Sequence, residues 1–391
     1  MSIKKKILQY MLEPAKNIQS SQTLYEALMA NINMYNSTGE EKFKKAAQEL
    51  ANVIIESQLK DGGFDIGYNF KFGEQIKKSS EIQATTPECL SIYALIEYYK
   101  IENRRDILTA INKGMNWIKK NSFINEEGFW VIPYAPGTIK EVYITNAISF
   151  CIGTIANYSA TFHDDSYFEI YHSMNQYMRS QLTIIDENGY WTYFEKKLVK
   201  KEGLYSKIDN YHIAQQLYYH MKAECFVTDD ANREIIKYVS NYIMKQLERD
   251  IAVPYIYING GNSKIADIDM WGYCALLMCV VELHNLEWAQ KVEKVILYKS
   301  WNGKYFMPIL NDSLEVVDSK FYPRSDAWVV HALSEYYRIE RDEITDAVIR
   351  QDLKYLQCCH YRGIENHALT VKKEILATVA RIYRGIMKSK N

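Results

Sequence analysis

The chain has 391 residues, 48% of them hydrophobic, and a formal net charge of −1. That length supports a large core, and a near-neutral balance without basic tracts argues against nucleic acid as a partner. No apolar run approaches membrane-spanning length, and the basic start MSIKKKILQYMLEPAK is too short and too broken by Glu13 and Pro14 for a signal peptide.

In chain order, Gln22 to Tyr35 and Glu40 to Leu59 read as a first helical pair, followed by the turn LKDGGFDIGYNF (59–70). Thr86-Pro87-Glu88 opens the next helix, with Thr86 as cap and Pro87 at the first position. It runs to Lys100 and pairs with Asp106 to Asn121. After the turn NEEGFWVIPY (125–134), Thr145 to Phe162 pairs with Ser166 to Leu182. ENGYW and a charged loop lead to a helix opened by Lys207-Ile-Asp-Asn-Tyr-His212. Ile213, Leu217 and Met221 form its buried stripe, and Asp230 to Leu247 is its partner. VPYIYINGG (253–261) precedes Asp267 to His284, paired with Leu286 to Tyr298. WNGKYFMP (301–308) precedes Ser325 to Arg338, paired with Asp342 to Gln357, and a last helix spans His367 to Met387.

Turns of one kind recur: Gly63-Phe64, Gly128-Phe129-Trp130, Gly189-Tyr190-Trp191 and Gly303-Lys304-Tyr305-Phe306. The first three lie about 60 residues apart, the period of a helix pair plus a long loop. One helix of each pair is apolar and small; its partner is charged and amphipathic. That asymmetry predicts an inner ring of buried helices within an outer ring of half-exposed ones. Six pairs predict an all-α fold, an (α/α)6 toroid, as one domain over residues 1–391 with a few short strands in its loops. An open α-solenoid has the same repeat but does not need inner helices so uniformly apolar. The long aromatic loops are expected to gather over the N-termini of the inner helices and form a cleft there.

Seven cysteines, mostly single within apolar helical stretches, read as reduced thiols and imply a cytoplasmic location. The 32 tyrosines suit a wet aromatic cleft, since each brings an apolar ring and a polar tip. An Ile/Lys/Asn-rich composition accounts for part of that excess.

Chemistry concentrates where the charged loop meets the helix opened at Asp209. A helix start presents free N–H groups and a positive dipole end, which suit an acidic ligand group. The plainer reading makes Asp209 an N-cap and packs Tyr211 and His212 against a neighbour. Asp209 and His212, three apart, share a face. Asp209 can then hold the imidazole in one tautomer and make His212 a base. Tyr193 and Tyr211 can each offer a phenol as acid from the other side of a sugar ring. Arg324, just before Ser325 as cap, suits bidentate binding of a carboxylate, or forms a surface salt bridge. Trp130, Trp191 and Trp301 sit in turns, where an indole face can stack on a pyranose or cover the toroid rim. Trp271 and Trp328 lie one turn into inner helices, as cleft wall or as core.

Four segments carry a family resemblance: Trp191-Thr-Tyr193, Ile208-Asp-Asn-Tyr-His212, Ala266-Asp-Ile-Asp-Met270 and Arg324-Ser-Asp-Ala-Trp328. In order they are similar to W-x-Y, I-D-N-Y-H-T-G, P-I-D-x-H and R-W-x-x-A-W segments. The chain thus resembles α/α-toroid proteins of bacterial surface-polysaccharide gene clusters, themselves distantly similar to the glucuronyl C5-epimerase C-terminal domain and the heparinase II/III toroid. The resemblance covers residues 185–340. It departs at Ile213-Ala214, where the family has Thr-Gly, and at Met270-Trp271, where it has polar residues.

The resemblance implies a glycan or sugar-lipid substrate. The expected chemistry is abstraction of the C5 proton of a uronic acid, giving an epimerase or a lyase. Arg324 would neutralise the carboxylate, His212 or Tyr211 would take the proton, and Tyr193 would donate one. Three alternatives stand beside it. Asp209 and Asp269 can form the carboxylate pair of a glycoside hydrolase, or the toroid can be a non-catalytic glycan-binding module. The third rests on Asp267-Ile-Asp269 with Gln58-Leu-Lys-Asp-Gly-Gly-Phe64, which resemble class II terpene cyclases. There Met270 replaces the last acidic residue of the acid motif. No Cys/Cys/His zinc set, no GxGxxG or GxxxxGK[ST] loop and no G-x-S-x-G elbow occurs, so no metal or cofactor is expected.

Overall fold

Apolar and amphipathic helices alternate along the chain, and the structure separates them into two rings. It is a computed structural model and describes residues 15–68, 70–72, 76–78, 84–136, 143–198, 207–249, 256–259, 262–265 and 268–365, and Val379. Twelve helices lie within them. The first six are α1 (Ser21–Thr38), α2 (Glu41–Glu56), α3 (Thr85–Ile101), α4 (Arg105–Asn121), α5 (Thr145–Phe162) and α6 (Phe168–Ser180). The second six are α7 (Asn210–Phe226), α8 (Asp230–Arg249), α9 (Met270–Glu282), α10 (Leu286–Val295), α11 (Pro323–Ile339) and α12 (Glu343–Cys358).

Each odd-numbered helix packs on the even-numbered helix that follows it. The odd-numbered helices also pack side by side in the order α1, α3, α5, α7, α9, α11, and α11 returns to α1. The ring is closed, and the fold is an (α/α)6 toroid. Sequence explains the sorting. Every residue of α5 from Thr145 to Ser159 is buried, so no face of that helix needs water. In α4 the buried residues Ile107, Ala110, Ile111, Gly114, Met115 and Ile118 form one stripe, and the opposite face stays wet. Gly153 of α5 lets the inner ring close tightly: a Cβ there would stand 2.8 Å from the Tyr219 ring of α7.

Among the helix starts that differ from the expectation, three lie beside residues singled out in the sequence. Helix α3 begins at Thr85 with Ala84 at the cap, which puts Pro87 third. Helix α9 begins at Met270, because Ile268–Asp269 first pairs as a short antiparallel strand with Ile309–Leu310. Helix α11 begins at Pro323 with Tyr322 at the cap. The fixed φ and missing N–H of Pro323 suit the first helical position, so Arg324 and Ser325 lie inside the first turn. Ala266 and Asp267 lie outside the described residues, as does the helix expected at His367 to Met387 apart from Val379.

The Gly-aromatic turns share one structural task. Each follows an outer helix and ties it to the next one. Gln58 Nε2 donates to the Ala110 carbonyl of α4 at 2.9 Å. The Trp130 N–H donates to Ser173 Oγ of α6 at 2.8 Å, and its indole N–H to Glu169 at 3.0 Å. Gly189 lies against Tyr238 of α8, where a Cβ would come within 2.7 Å of the Tyr238 Cβ. Tyr305 stacks on Tyr355 of α12 with centroids 5.9 Å apart.

A buried carboxyl pair joins α11 to α12. Asp326 accepts the Phe306 N–H at 2.6 Å and shares a hydrogen bond with Asp352, and both side chains are fully buried. Two carboxyls so paired need a proton between them. Burial pushes Asp326 up to about 7, with the bonds to Asp352 and the Phe306 N–H pulling the other way. Burial and the neighbouring Asp326 likewise push Asp352 well above its ordinary value. The folded pair therefore keeps a proton that the unfolded chain releases above about pH 4. The stability it contributes is complete below that pH and is lost as pH rises through about 7. Asp352→Asn donates the same hydrogen bond without titrating. Its melting temperature at pH 8 should exceed the parent's by about 2–4 °C, with the two matching at pH 4. Parallel melting curves from pH 4 to 8 would contradict this.

Candidate active site at the toroid mouth

The N-termini of the inner helices meet at one end of the toroid, and three of them supply a compact cluster. Lys207–Ile208 is a short strand paired with Ile256–Asn259, and it delivers Asp209 to the start of α7. Asp209 is the N-cap: its Oδ1 accepts the His212 N–H at 3.4 Å. Its Oδ2 lies 2.6 Å from His212 Nδ1. Asp209 is 1% exposed and His212 12%. One carboxylate thus caps the helix and orients the ring. With Nδ1–H held by Asp209, the basic lone pair of a neutral imidazole sits on Nε2.

Tyr211 stands beside His212, with ring centroids 3.8 Å apart, and reaches Trp271 of α9 and Trp328 of α11 at 6.2 Å each. The two indoles are stacked at 6.3 Å. Arg324, in the first turn of α11, lays its guanidinium 4.1 Å from the centroid of the Trp271 ring. Its Nη1 lies 3.4 Å from the Tyr68 hydroxyl and 3.8 Å from Glu365. Its Nε–H is buried and meets no acceptor among the described residues. Arg324 is therefore held on an indole face, and the salt bridge it makes, to Glu365, is largely buried and not at the surface.

Tyr193 lies on the same wall as His212, ring to ring at 5.0 Å. Burial, followed by Tyr134, Tyr211 and Asp209, holds its phenol well above the ordinary value, so it stays a proton donor. Contact with His212 does not fit the expectation that Tyr193 acts from the opposite side of a sugar ring. Asp269, half-buried at the start of α9, makes no cap bond with its side chain.

The turn indoles are elsewhere. Trp191 is 1% exposed, donates to the Met178 carbonyl at 2.9 Å and stacks on His220. Trp130 is held by α6, and Trp301 packs on Phe306 at 4.7 Å. Burial corrects the stacking role expected of Trp191, which is core, while Trp130 and Trp301 remain half-buried, the one tied to α6 and the other packed on Phe306. Trp271 and Trp328 are both buried, yet they back the mouth: Trp271 carries Arg324, and both abut Tyr211.

Sequence reasoning passed over a second polar cluster deeper in the toroid. Arg324, Trp328, His331, Glu335 and Arg338 are spaced four, three, four and three apart, so they share one face of α11. His331 Nδ1 lies 2.6 Å from Glu26 of α1, and its Nε2 lies 3.7 Å from Glu335. Glu335 also receives Asn33 at 2.9 Å and pairs with Arg338 and Lys222. Burial disfavours charge on His331, but Glu26 and Glu335 outweigh it and hold the imidazole up at about 9. Burial likewise opposes ionisation of Glu335, and Lys222, His331 and Arg338 overcome it and keep the carboxyl well below its usual range. His331 and Glu335, four apart on one face of α11, were the signal for this cluster.

No known family matches the sequence, and no curated protein does. The likeness is in three dimensions, to toroid enzymes of sugar metabolism. Cellobiose 2-epimerase from Spirochaeta thermophila DSM 6192 superposes with a TM-score of 0.62 at 11% identity, covering 85% of this chain and 94% of that one. A D-mannose isomerase gives 0.62 at 11% identity, with 83% and 88% covered. A family 76 glycoside hydrolase from a bovine Bacteroides thetaiotaomicron strain gives 0.61 at 9% identity, with 83% and 70% covered. At these identities the likeness shows the fold.

Proposed function

We propose that this chain is a sugar-modifying enzyme that abstracts a proton from a carbon next to a carboxylate or carbonyl, with C5 of a uronic acid as the first candidate. The observation that carries the reading is the pairing in one mouth of an oriented imidazole, His212 on Asp209, with a guanidinium whose Nε–H is uncommitted among the described residues. His212 Nε2 takes the proton. Arg324 binds the oxygens on which the resulting negative charge gathers, where a guanidinium stabilises the transition state more than the ground state. Tyr193, kept protonated, stands on the same wall and can protonate a leaving group or a neighbouring carbon on that face, so inversion at C5 draws its returning proton from water on the opposite face.

A second reading shares this machinery. With His212 and Tyr193 on one wall, a proton can leave one carbon and return to its neighbour from the same face, which is a carbonyl isomerisation. Epimerases, an isomerase and glycoside hydrolases among the fold neighbours support a sugar substrate for either reading. Asp209, buried and tied to His212, serves as the orienting group, so the Asp209/Asp269 hydrolase pair is the weaker reading.

The test is product analysis on a panel of free sugars, uronates and their oligomers. A stereoisomer or carbonyl isomer of unchanged mass is the expected product. An unsaturated uronate would identify a lyase using the same proton abstraction. Shortened chains would overturn the proposal in favour of hydrolysis, and binding without conversion would leave a glycan-binding module. Arg324→Lys keeps the charge but loses the flat stacking on Trp271 and the bidentate fork. For a carboxylated substrate, kcat/KM should fall about 10–100-fold with the fold intact by circular dichroism.

A further inference from the structure

Beside the mouth lies a cavity of about 600 Å³, within the size range of small-ligand sites. Three chain segments that build the mouth wall also line this cavity. Pro133 and Pro136 face it, while Tyr134 between them packs with Tyr193 in a small separate apolar cluster. Tyr143 faces it, while the next residue, Ile144, belongs to that cluster and bridges to Phe194. Lys197 faces it, four residues after Tyr193. The cluster thus joins the wall of the mouth, where Tyr193 meets His212, to the lining of the cavity. The first turn of α3 anchors it, because Thr85 Oγ1 donates to the Pro133 carbonyl at 2.6 Å and the Thr85 N–H to the Tyr134 carbonyl at 3.1 Å.

The lining matches a hydroxylated ring. Phe123 and Tyr143 supply aromatic surface, with centroids 6.1 Å apart. The Lys197 ammonium stands 5.3 Å from the Tyr143 ring and 3.2 Å from Glu195, and Lys120 and Asn121 add polar groups at the end of α4. Aromatic surface with a few polar groups is what a sugar-binding pocket requires.

We infer that this cavity is a second subsite, holding the sugar next to the reacting one, so that the substrate is a glycan chain of at least two units. The inference rests on the sugar reading above. Its test is calorimetric binding of glucose, cellobiose and cellotetraose, and of glucuronate with its di- and tetrasaccharide, to the full chain and to Lys197→Ala and Phe123→Ala. In one of the two series, the wild type should bind the longer members at least about tenfold more tightly than the monosaccharide. Both variants should lose most of that ratio, with circular dichroism unchanged. Equal affinity for short and long members, a ratio intact in both variants, or no binding of either series would overturn the subsite. Binding is read without turnover, so the proton-transfer reading can fail separately: a chain-length preference without chemical conversion upholds the subsite and removes the enzyme.

Discussion

His212→Gln should lower activity about 10²–10⁴-fold, the range for a positioned acid or base, and leave the melting temperature nearly unchanged. The ring is only part-buried at the mouth. The substitution leaves the Asp209 cap bond to the residue's own backbone N–H in place. Asp209→Asn tests the same pair from the other side. The amide still accepts the backbone N–H at the cap, but it cannot charge-stabilise an imidazolium, so kcat should fall with little change in KM. A large loss of melting temperature with full activity per folded molecule would make His212 a packing residue and shift the role of base to Tyr211.

The second large effect is on stability. Glu335 sits at 1% exposure among Asn33, Tyr218, Lys222, His331 and Arg338. Glu335→Ala leaves Lys222 and His331 buried without their shared anion, which typically costs about 3–5 kcal/mol. Denaturant unfolding with an unchanged m-value would read that loss directly. A change below about 1 kcal/mol would show that water or the neighbouring Glu282 takes over the charge. The same network adds a pH dependence. The His331 imidazolium stabilises the fold fully below its unfolded value near pH 6.5, and that contribution disappears as pH rises through about 9. The wild type should lose more stability than His331→Gln between pH 7 and 10.

The architecture was legible because it is periodic. Six apolar helices alternating with amphipathic ones leave few packings other than a ring within a ring. Asp209 and His212 were legible for a related reason: a cap and a residue three positions on meet through local geometry alone. Arg324 was found by motif but placed one turn too early, because Ser325 looked like the cap and Pro323 took the first position instead. Two failures share one physical cause. Trp191 and Trp130 look exposed in a glycine turn, but Trp191 bonds to Met178 of α6 and stacks on His220 of α7, and Trp130 is tied to Glu169 of α6, and sequence does not say which helix will lie there. The His331–Glu26 pair joins residues 305 positions apart, a contact created only when α11 closes on α1.

The central claim is that the mouth around Asp209 and His212 moves a proton to and from a sugar carbon. Proton NMR of the full chain with uronates and reducing sugars in deuterated water measures that step itself. The account predicts that one carbon-bound hydrogen, next to the carboxylate or carbonyl, is replaced by deuterium in the wild type and persists in His212→Gln. Conversion of a sugar with every carbon-bound hydrogen retained, or exchange undiminished in His212→Gln, would contradict it.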